Sequence, residues 1–261
     1  GVVTRGDPLV LILSFCEHGS LLSYLRQKTS DGQPVDLEIK RRMLLEVACG
    51  MHHLEASRFI HRDLAARNVL IASGIVAKVA DFGLSRGGKA AEQEGDGSDG
   101  MVEGGVDYYR STTGMFPVRW TSPEAMNTGV FTAASDVWSF GIVAVEVMQD
   151  GVKPYRDWST QFVMRKVVGG FKHLRPTECP ADLYALMLLC WEPKPTNRPS
   201  FARLVEALRA TMGALACTTI TLGNPSAAPV AETCIDAAAA STSAVAGAGS
   251  GSGDAGDAGD A

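Results

Sequence analysis

The longest apolar stretch of the sequence, residues 137–145, limits most strongly how this chain can fold. A helix of that composition is apolar on all its sides and is typical of a buried position. The stretch is much shorter than the roughly 20 residues that a helix needs to cross a membrane. A chain of 261 residues is also long enough to enclose a sizeable core. We therefore predict a buried helix over residues 136–150 inside a globular body.

The other apolar patterns place strands mostly early in the chain and helices mostly later. Short or alternating apolar runs predict strands, and apolar residues repeated at helical spacing predict helices. The predicted strands cover residues 2–3, 8–15, 69–71 and 77–80. The predicted helices cover residues 20–27, 36–55, 160–168, 181–191 and 201–212, and residues 82–123 are predicted to be irregular. This order favours an α+β fold with a small sheet on a larger helical body.

Charge and cysteine content exclude several classes of function. The formal net charge of −5 arises from residues 213–261, which hold acids but no Lys or Arg. This tail also lacks aromatic residues, so we predict that it is disordered. The remaining body is close to neutral, which argues against general nucleic-acid binding. Six scattered cysteines without CxxC spacing predict free thiols in a reducing compartment.

Polar residues crowd into one short segment that begins at His61, between a predicted helix and a predicted strand. Asp63 and Asn68 lie five residues apart, and Asp81 opens the sequence DFGLSR after the second of two short strands. The spacing H-R-D-x-x-x-x-N followed by D-F-G is an arrangement used for phosphoryl transfer. That chemistry needs a base at the attacking hydroxyl and ligands for Mg²⁺ near the phosphate oxygens. The segment therefore predicts that an acid, an amide and a second acid converge on one small volume.

The ordered motifs resemble those of the protein kinase family, and specifically of receptor-type protein tyrosine kinases. In chain order they are HRDLAARN, DFGLSR, DYYRSTTGMFPVRW, SPEAM, SDVWSFGIVAVEVM and LCWEPKPTNRPSF. The resemblance covers residues 1–212 and implies a kinase-like fold with a mainly helical C-lobe. It assigns residues 1–18 to a remnant of the β-rich N-lobe and to the hinge, and residues 19–212 to the C-lobe. Residues 81–124 would form the activation segment, with an acidic insert at residues 87–105.

By this resemblance, the HRDLAARN and DFG motifs carry the reaction. Asp63 would accept the proton of the substrate hydroxyl, with Arg67 beside it. Asn68 and Asp81 would bind Mg²⁺. The Ser/Thr branch of the family usually has a lysine where this chain has Ala65, whereas LAARN resembles the tyrosine kinases. The implied acceptor is therefore a protein tyrosine.

The resemblance also implies where the two substrates bind. The adenine of ATP would lie against the hinge residues Leu13, Ser14 and Cys16, with Leu70 beneath the ring. Pro117 and Trp120 would belong to a platform on which the substrate tyrosine rests. We refer to residues 116–120 as the substrate platform.

Further residues would regulate or brace the site. Tyr108 and Tyr109 lie where the family has its activating phosphorylation sites, and Arg62 would bind the added phosphate. Four residues are implied to be structural, namely His61, Glu124, Asp136 and Arg198. Of these, Glu124 would pair with Arg198, and Asp136 would brace the backbone around His61 and Arg62.

The family's Gly-rich loop and phosphate-binding lysine have no counterpart in this sequence. The resemblance therefore implies an N-terminally truncated kinase domain whose activity is impaired. Two alternatives remain open, a non-catalytic kinase-like binding module and a Ser/Thr kinase of the tyrosine-kinase-like type. The implied partners are ATP, protein substrates and a second copy of a parent receptor, but no nucleic acid. The implied location is the cytoplasmic side of a membrane-anchored receptor.

Overall fold

Helices form most of the folded body. The computed structural model describes residues 1–4, 10–81, 86–87, 108–111 and 114–219. The helices are α1 Leu21–Ser30, α2 Leu37–Ala56, α3 Pro123–Thr128, α4 Ala133–Met148, α5 Thr160–Val168, α6 Ala181–Cys190 and α7 Phe201–Thr219. Short 3₁₀ turns lie at Ala66–Asn68 and Pro195–Asn197. Together with short strands, these elements confirm the predicted α+β class.

Helix α4 is the buried helix that the apolar stretch predicts. It begins three residues before the predicted start and is buried continuously from Ser135 to Met148. Thr132 and Ser135 form a capping box that satisfies backbone N–H groups at its first turn. Buried side chains of α1, α2, α6 and α7 join those of α4 in one core cluster. The helix therefore acts as the internal support on which the other elements pack.

The strands pair two by two, and every pair in the described residues is antiparallel. The pairs are β1 Val2–Val3 with β2 Val10–Leu11, β3 Phe59–Ile60 with β6 Arg86–Gly87, β4 Val69–Ala72 with β5 Val76–Val79, and β7 Tyr108–Ser111 with β8 Gly114–Pro117. The β4–β5 hairpin packs on α2, where Val79 lies directly beside Gly50. The polar segment precedes this hairpin and Asp81 follows it.

Two strand predictions need correction. The strand predicted over residues 8–15 is limited to β2, and residues 12–16 have no regular secondary structure. Leu13 and Phe15 are about four-fifths exposed, so no packed face favours a strand there. The stretch 82–123 is not irregular throughout, because it contains β6, β7 and β8. The β6 strand was missed because it pairs with β3, which lies far away in the sequence, and β7 and β8 were missed because each has only four residues. Most of the acidic insert lies outside the described residues.

The last helix is longer than predicted. Helix α7 begins at Phe201 as expected but ends at Thr219, so the prediction of a disordered tail from residue 213 is wrong for residues 213–219. Ala and Leu residues in this segment are strong helix formers and allow the helix to continue. The rest of the predicted disordered tail, residues 220–261, lies outside the described residues.

Candidate active site

Asp63 and Asn68 contact each other in the loop between β3 and β4, which we call the catalytic loop (residues 61–68). The Asn68 Nδ2 donates hydrogen bonds to the Asp63 carboxylate oxygen Oδ2 at 2.8 Å and to the Asp63 backbone oxygen at 2.6 Å. Both residues are buried. Because Nδ2 is directed at Asp63, the amide oxygen of Asn68 lies on the opposite side. That oxygen is the atom with which an asparagine side chain binds a cation.

The β4–β5 hairpin brings Asp81 to the same end of the structure. The Ala80 backbone N–H donates to the Asn68 backbone oxygen at 2.9 Å. Asp81 follows Ala80 directly, is exposed, and has a φ of 60° in the left-handed region. Both Asp63 and Asp81 act electrostatically on His61. The three residues that the sequence predicts to converge therefore lie around one strand end.

The His61 ring joins the catalytic loop to the end of β5. Its Nε2 donates to the Ala80 backbone oxygen at 3.0 Å, and its Nδ1 accepts from the Asp63 backbone N–H at 3.3 Å. These partners require a neutral ring with its proton on Nε2. Burial lowers the pKa of His61, which favours this neutral form. His61 thus has the geometry of a structural residue.

Asp136, in the first turn of α4, binds the backbone at the start of the catalytic loop. Its two carboxylate oxygens accept hydrogen bonds from the backbone N–H groups of His61 at 2.8 Å and Arg62 at 3.0 Å. Arg62 has a φ of 70°, a conformation that non-glycine residues rarely adopt. Burial raises the pKa of Asp136 to about 7, although both hydrogen bonds oppose this shift. The bracing role predicted for Asp136 matches this geometry.

Arg67 connects Asp63 to the substrate platform. Its guanidinium donates to the Asp63 oxygen Oδ1 and lies over the Trp120 ring, 4.7 Å from the ring centroid. Trp120 in turn donates from its indole Nε1 to the Glu146 carboxylate at 2.8 Å. The platform and the catalytic loop are therefore in direct contact.

The substrate platform begins with the last two residues of β8 and is buried against the body of the protein. Arg119 donates hydrogen bonds to the backbone oxygens of Pro154 at 3.0 Å, Tyr155 at 2.8 Å and Trp158 at 2.6 Å. Pro117, the other platform residue singled out from the sequence, is buried at the C-terminal end of β8. These contacts fix the platform backbone in one position.

The predicted hinge lies on the surface. Leu13 and Ser14 are exposed, whereas Cys16 and Leu70 are half-buried. Backbone hydrogen bonds join the end of the hinge to β4, since His18 N–H donates to Ile71 and Ile71 N–H donates to Gly19. Leu70 therefore lies close to the hinge in the fold. A role of these residues in adenine binding stays a prediction.

The structure pairs Glu124 with Arg198. Two guanidinium nitrogens of Arg198 donate to the two carboxylate oxygens of Glu124, at 2.6 Å and 2.8 Å. Burial by itself would raise the pKa of Glu124, but the hydrogen bonds from Arg198 and Ser122 and the positive charge of Arg198 together lower the pKa. A bidentate pair of this kind ties α3 to the chain just before α7.

The predicted regulatory residues lie beside the site in the sequence: Arg62 is in the catalytic loop, and the two tyrosines shortly precede the platform. Tyr108 and Tyr109 are in β7, opposite Pro117 and Phe116 of β8. The Arg62 guanidinium lies 5.7 Å from the centroid of the Phe131 ring. Phosphorylation of either tyrosine, and binding of the phosphate by Arg62, remain predictions.

The donor atoms fit a magnesium ion that binds together with a nucleotide. Among the described residues, no group of three or more His, Cys, Asp or Glu side chains could hold a metal ion on its own. Asn68 and Asp81 supply an amide oxygen and a carboxylate, which are the hard oxygen ligands that Mg²⁺ prefers. Mg²⁺ commonly binds through one or two such groups and takes its other ligands from substrate phosphates and water. Asn68 and Asp81 are thus the residues that would hold the ion.

Two residues of the site were missed in the sequence. Glu146 was passed over as part of an apolar helix, and Arg119 as part of the platform motif. Each of these residues is a single charge inside an apolar run of the sequence. A charge that such a run buries requires specific partners, so its position was a signal of a structural or functional role. The sequence could not indicate which partners those are.

Comparisons with known proteins agree with this geometry. Residues 1–208 match the family described as protein tyrosine and serine/threonine kinase. The chain is 43% identical over 209 residues to the chicken (Gallus gallus) ephrin type-A receptor 7 and 44% identical over 208 residues to the chicken ephrin type-B receptor 1. Both alignments cover 80% of this chain but only 19% and 20% of the relatives, so the chain spans about a fifth of their length.

Within the described residues, no helix has both the length and the apolar character required to cross a membrane. The family match extends over the catalytic loop, the hairpin that precedes Asp81, the platform and the Glu124–Arg198 pair. With the motifs in the family order and their residues brought together in space, this chain belongs to the protein tyrosine and serine/threonine kinase family.

Proposed function

We propose that this chain is the kinase part of a protein tyrosine kinase and transfers the γ-phosphoryl group of ATP to tyrosine hydroxyls of protein substrates. The observation that carries the proposal is the hydrogen bond from Asn68 to Asp63 beside a hairpin that leads into Asp81. This arrangement offers one candidate base and two candidate metal ligands at one place. Membership of the kinase family supports ATP and Mg²⁺ as the nucleotide and the cofactor.

In the proposed reaction, Asp63 accepts the proton of the substrate hydroxyl as that oxygen bonds to the γ-phosphorus. The bond from the γ-phosphorus to its bridging oxygen breaks, and ADP leaves with the electron pair. Arg67 and Asn68 each hold one carboxylate oxygen of Asp63, which fixes the direction of the carboxylate. Mg²⁺, when bound by Asn68 and Asp81, would neutralise negative charge on the phosphate oxygens.

The platform supports tyrosine rather than serine as the acceptor. A phenolic oxygen lies farther from its backbone than a serine oxygen does. Arg119 holds the platform through three backbone carbonyls, so a peptide that rests on it stays at a set distance from Asp63. The Ser/Thr alternative predicts phosphoserine or phosphothreonine instead, and phosphoamino-acid analysis of the product distinguishes the two.

The transfer is tested with the purified full chain, ATP labelled in the γ-phosphate and a synthetic Glu-Tyr copolymer. Asp63→Asn is expected to lower the rate about 10²- to 10⁴-fold, because the base is lost while its size is kept. Asp157→Asn is the matched control, since Asp157 is an exposed acid outside the site. Equal rates for wild type and Asp63→Asn would rule out Asp63 as the base.

Nucleotide binding is tested separately by thermal unfolding. A ligand at about 100 times its dissociation constant stabilises the folded state by about 2.7 kcal/mol. Mg·ATP is therefore expected to raise the Tm of the wild type and to raise that of Asp81→Asn less. Absence of any shift in the wild type would favour the alternative of a non-catalytic binding module.

The relatives are receptors by name, and we extend the proposal to the parent protein. It would be a membrane-anchored receptor that dimerises and holds this segment on the cytoplasmic side. Phosphorylation of Tyr108 or Tyr109 would activate it, with Arg62 binding the phosphate. Mass spectrometry of the chain after incubation with Mg·ATP is expected to find phosphate on one of these tyrosines. Phosphate found exclusively elsewhere would contradict this assignment.

A further inference from the structure

We infer that Glu146 is a positioning residue that fixes the substrate platform to the catalytic loop. One carboxylate oxygen of Glu146, Oε2, accepts two hydrogen bonds. The Ala66 backbone N–H donates the first at 2.9 Å, and the Trp120 indole Nε1–H donates the second at 2.8 Å. Ala66 belongs to the loop that carries Asp63, and Trp120 belongs to the platform. The inference rests on the proposed function, because it takes the platform to be the site of the protein substrate.

Because Glu146 is buried, its carboxylate depends on these two hydrogen bonds in place of contacts with water. Glu146 is 1% exposed and lies in α4, which is buried continuously from Ser135 to Met148. An acid at such a position is costly unless partners compensate for its lost hydration. Its partners are two N–H donors from separate parts of the site, and the charged groups that act on it are Arg67 of the catalytic loop and Arg26 of α1. An apolar side chain would fill the space but leave both N–H groups buried without an acceptor.

A second route connects the same two parts of the site. The Trp120 ring meets Glu146 at its indole edge and Arg67 at its face. Arg67 also donates to the carboxylate of Asp63. The indole is therefore held between the residue that fixes the loop backbone and the residue that orients the candidate base. A shift of about 1 Å in such an arrangement can cost about 10²-fold in rate.

Helix α4 also holds the platform backbone, independently of the indole. The Ser139 hydroxyl donates to the Trp120 backbone oxygen at 2.8 Å. Replacing Trp120 by phenylalanine therefore leaves this backbone contact in place and removes the bond to Glu146. The change isolates the proposed link.

Trp191 offers a matched control. It is 1% exposed, and its Nε1 is buried without a hydrogen-bond partner among the described residues. It lies directly after α6, outside the catalytic loop and the platform. Trp191→Phe thus makes the same chemical change at a buried site where no hydrogen bond is lost.

The experiment measures both binding and transfer on the purified full chain. Binding of a fluorescein-labelled tyrosine peptide is followed by anisotropy, and phosphorylation of the same peptide gives kcat and KM. Trp120→Phe is expected to weaken peptide binding, or to lower kcat/KM for the peptide, by about tenfold, while the KM for ATP stays within about twofold. Trp191→Phe is expected to leave these values within about twofold of the wild type, even if its Tm falls.

Two variants of Glu146 separate positioning from folding. Glu146→Gln keeps an acceptor oxygen and is expected to retain most of the peptide affinity. Glu146→Met has a similar size without an acceptor and is expected to behave like Trp120→Phe. If Glu146→Met does not fold, the comparison of Trp120→Phe with Trp191→Phe still decides the question.

The possible outcomes separate this inference from the proposed function. Peptide binding that falls in Trp120→Phe but not in Trp191→Phe supports the inference, even if the chain transfers no phosphate. A chain that binds peptide without transfer would overturn the proposed activity alone. Equal peptide binding and equal kcat/KM in Trp120→Phe, Trp191→Phe and wild type would overturn the inference, and so would a wild-type chain that binds no peptide.

Discussion

Single buried carboxylates hold the catalytic loop in a backbone conformation that its sequence does not favour. Arg62 has a left-handed φ of 70°, which costs a non-glycine residue roughly 1–2 kcal/mol. Asp136 accepts hydrogen bonds from the backbone N–H groups of His61 and Arg62, which belong to two successive peptide units. Bonds to a charged acceptor are stronger than bonds to a neutral one. The side chain of one residue thus determines the backbone geometry of two others.

We expect Asp136→Asn to destabilise the protein by about 1–3 kcal/mol, because the amide group provides one acceptor where two buried N–H groups need them. In a chain of this size, each kcal/mol lowers the Tm by about 2–4 °C. Glu38→Gln is the control, since Glu38 is also an acid in the first turn of a helix but is exposed. A Tm for Asp136→Asn equal to that of the control would contradict the bracing role.

Glu146 is expected to make stability depend on pH. Burial raises its pKa from 4.5 to about 7, so the folded state binds a proton there that the unfolded state has released between these values. Its contribution to the free energy of unfolding therefore falls as pH rises from about 4.5 to about 7. Glu146→Gln lacks this contribution, so its Tm relative to the wild type is expected to be higher at about pH 8 than at about pH 5. A constant difference across this range would contradict the shift.

At the scale of elements, α4 holds the site because its neighbours approach its backbone closely. A Cβ atom at Gly141 would lie 2.5 Å from the Trp191 Nε1 and 3.0 Å from the Cys190 Cβ. The absence of a side chain there allows the end of α6 to pack directly on α4. Asp136 and Glu146, at either side of Gly141 on the same helix, consequently keep a fixed relation to the rest of the core.

Gly141→Ala is expected to destabilise the protein by about 1–3 kcal/mol through overpacking, despite the gain of about 1 kcal/mol in helix propensity. The measurement is urea unfolding, compared with Gly50→Ala in α2. A Cβ at Gly50 would meet one Val79 methyl group at 3.0 Å and no other atom closer than 3.6 Å, so a smaller loss is expected. Gly141→Ala would refute the packing argument if it were as stable as the wild type.

At the scale of the whole molecule, Arg198 joins elements that are distant in the sequence. Its guanidinium donates to Glu124 in α3, to the backbone oxygen of Ala134 in α4 and to that of Glu192 after α6. The side chain is fully buried and lies over the Trp138 ring. The platform side of the site is thereby tied to the helices of the far C-terminal part of the fold.

Replacing this group is expected to loosen all of these contacts together. Arg198→Lys keeps the charge but loses the planar fork, so it leaves buried oxygen acceptors without donors, which is expected to cost about 1–3 kcal/mol. Arg42→Lys is the control, because Arg42 is partly exposed and lies 3.7 Å from Glu46. That control is expected to change stability by less than about 1 kcal/mol in the same unfolding experiment. Similar losses in both variants would contradict the special role of Arg198.

Much of the fold was predictable from local patterns. The predicted helix over residues 160–168 matches α5 in full, and Phe201 begins α7 as expected. Helical periodicity and caps are properties of neighbouring residues, so a sequence shows them directly. The β6, β7 and β8 strands were missed because strands of two to four residues carry little periodic pattern and form only where a partner strand is available. The length of α7 was not predictable from composition, because Ala and Leu residues after residue 212 favour a helix although the segment as a whole resembles a disordered tail.

The sequence by itself determined the chemistry that can occur, because the spacing of Asp63, Asn68 and Asp81 specifies an acid, an amide and an acid around a short hairpin. Only the tertiary structure decided which other residues keep these three side chains in position. Glu146 lies far from Ala66 in the chain but contacts it in the fold, and it contacts Trp120 through the same oxygen. A buried charge signals in the sequence that it needs partners, whereas the packing of helices and loops determines which partners it meets.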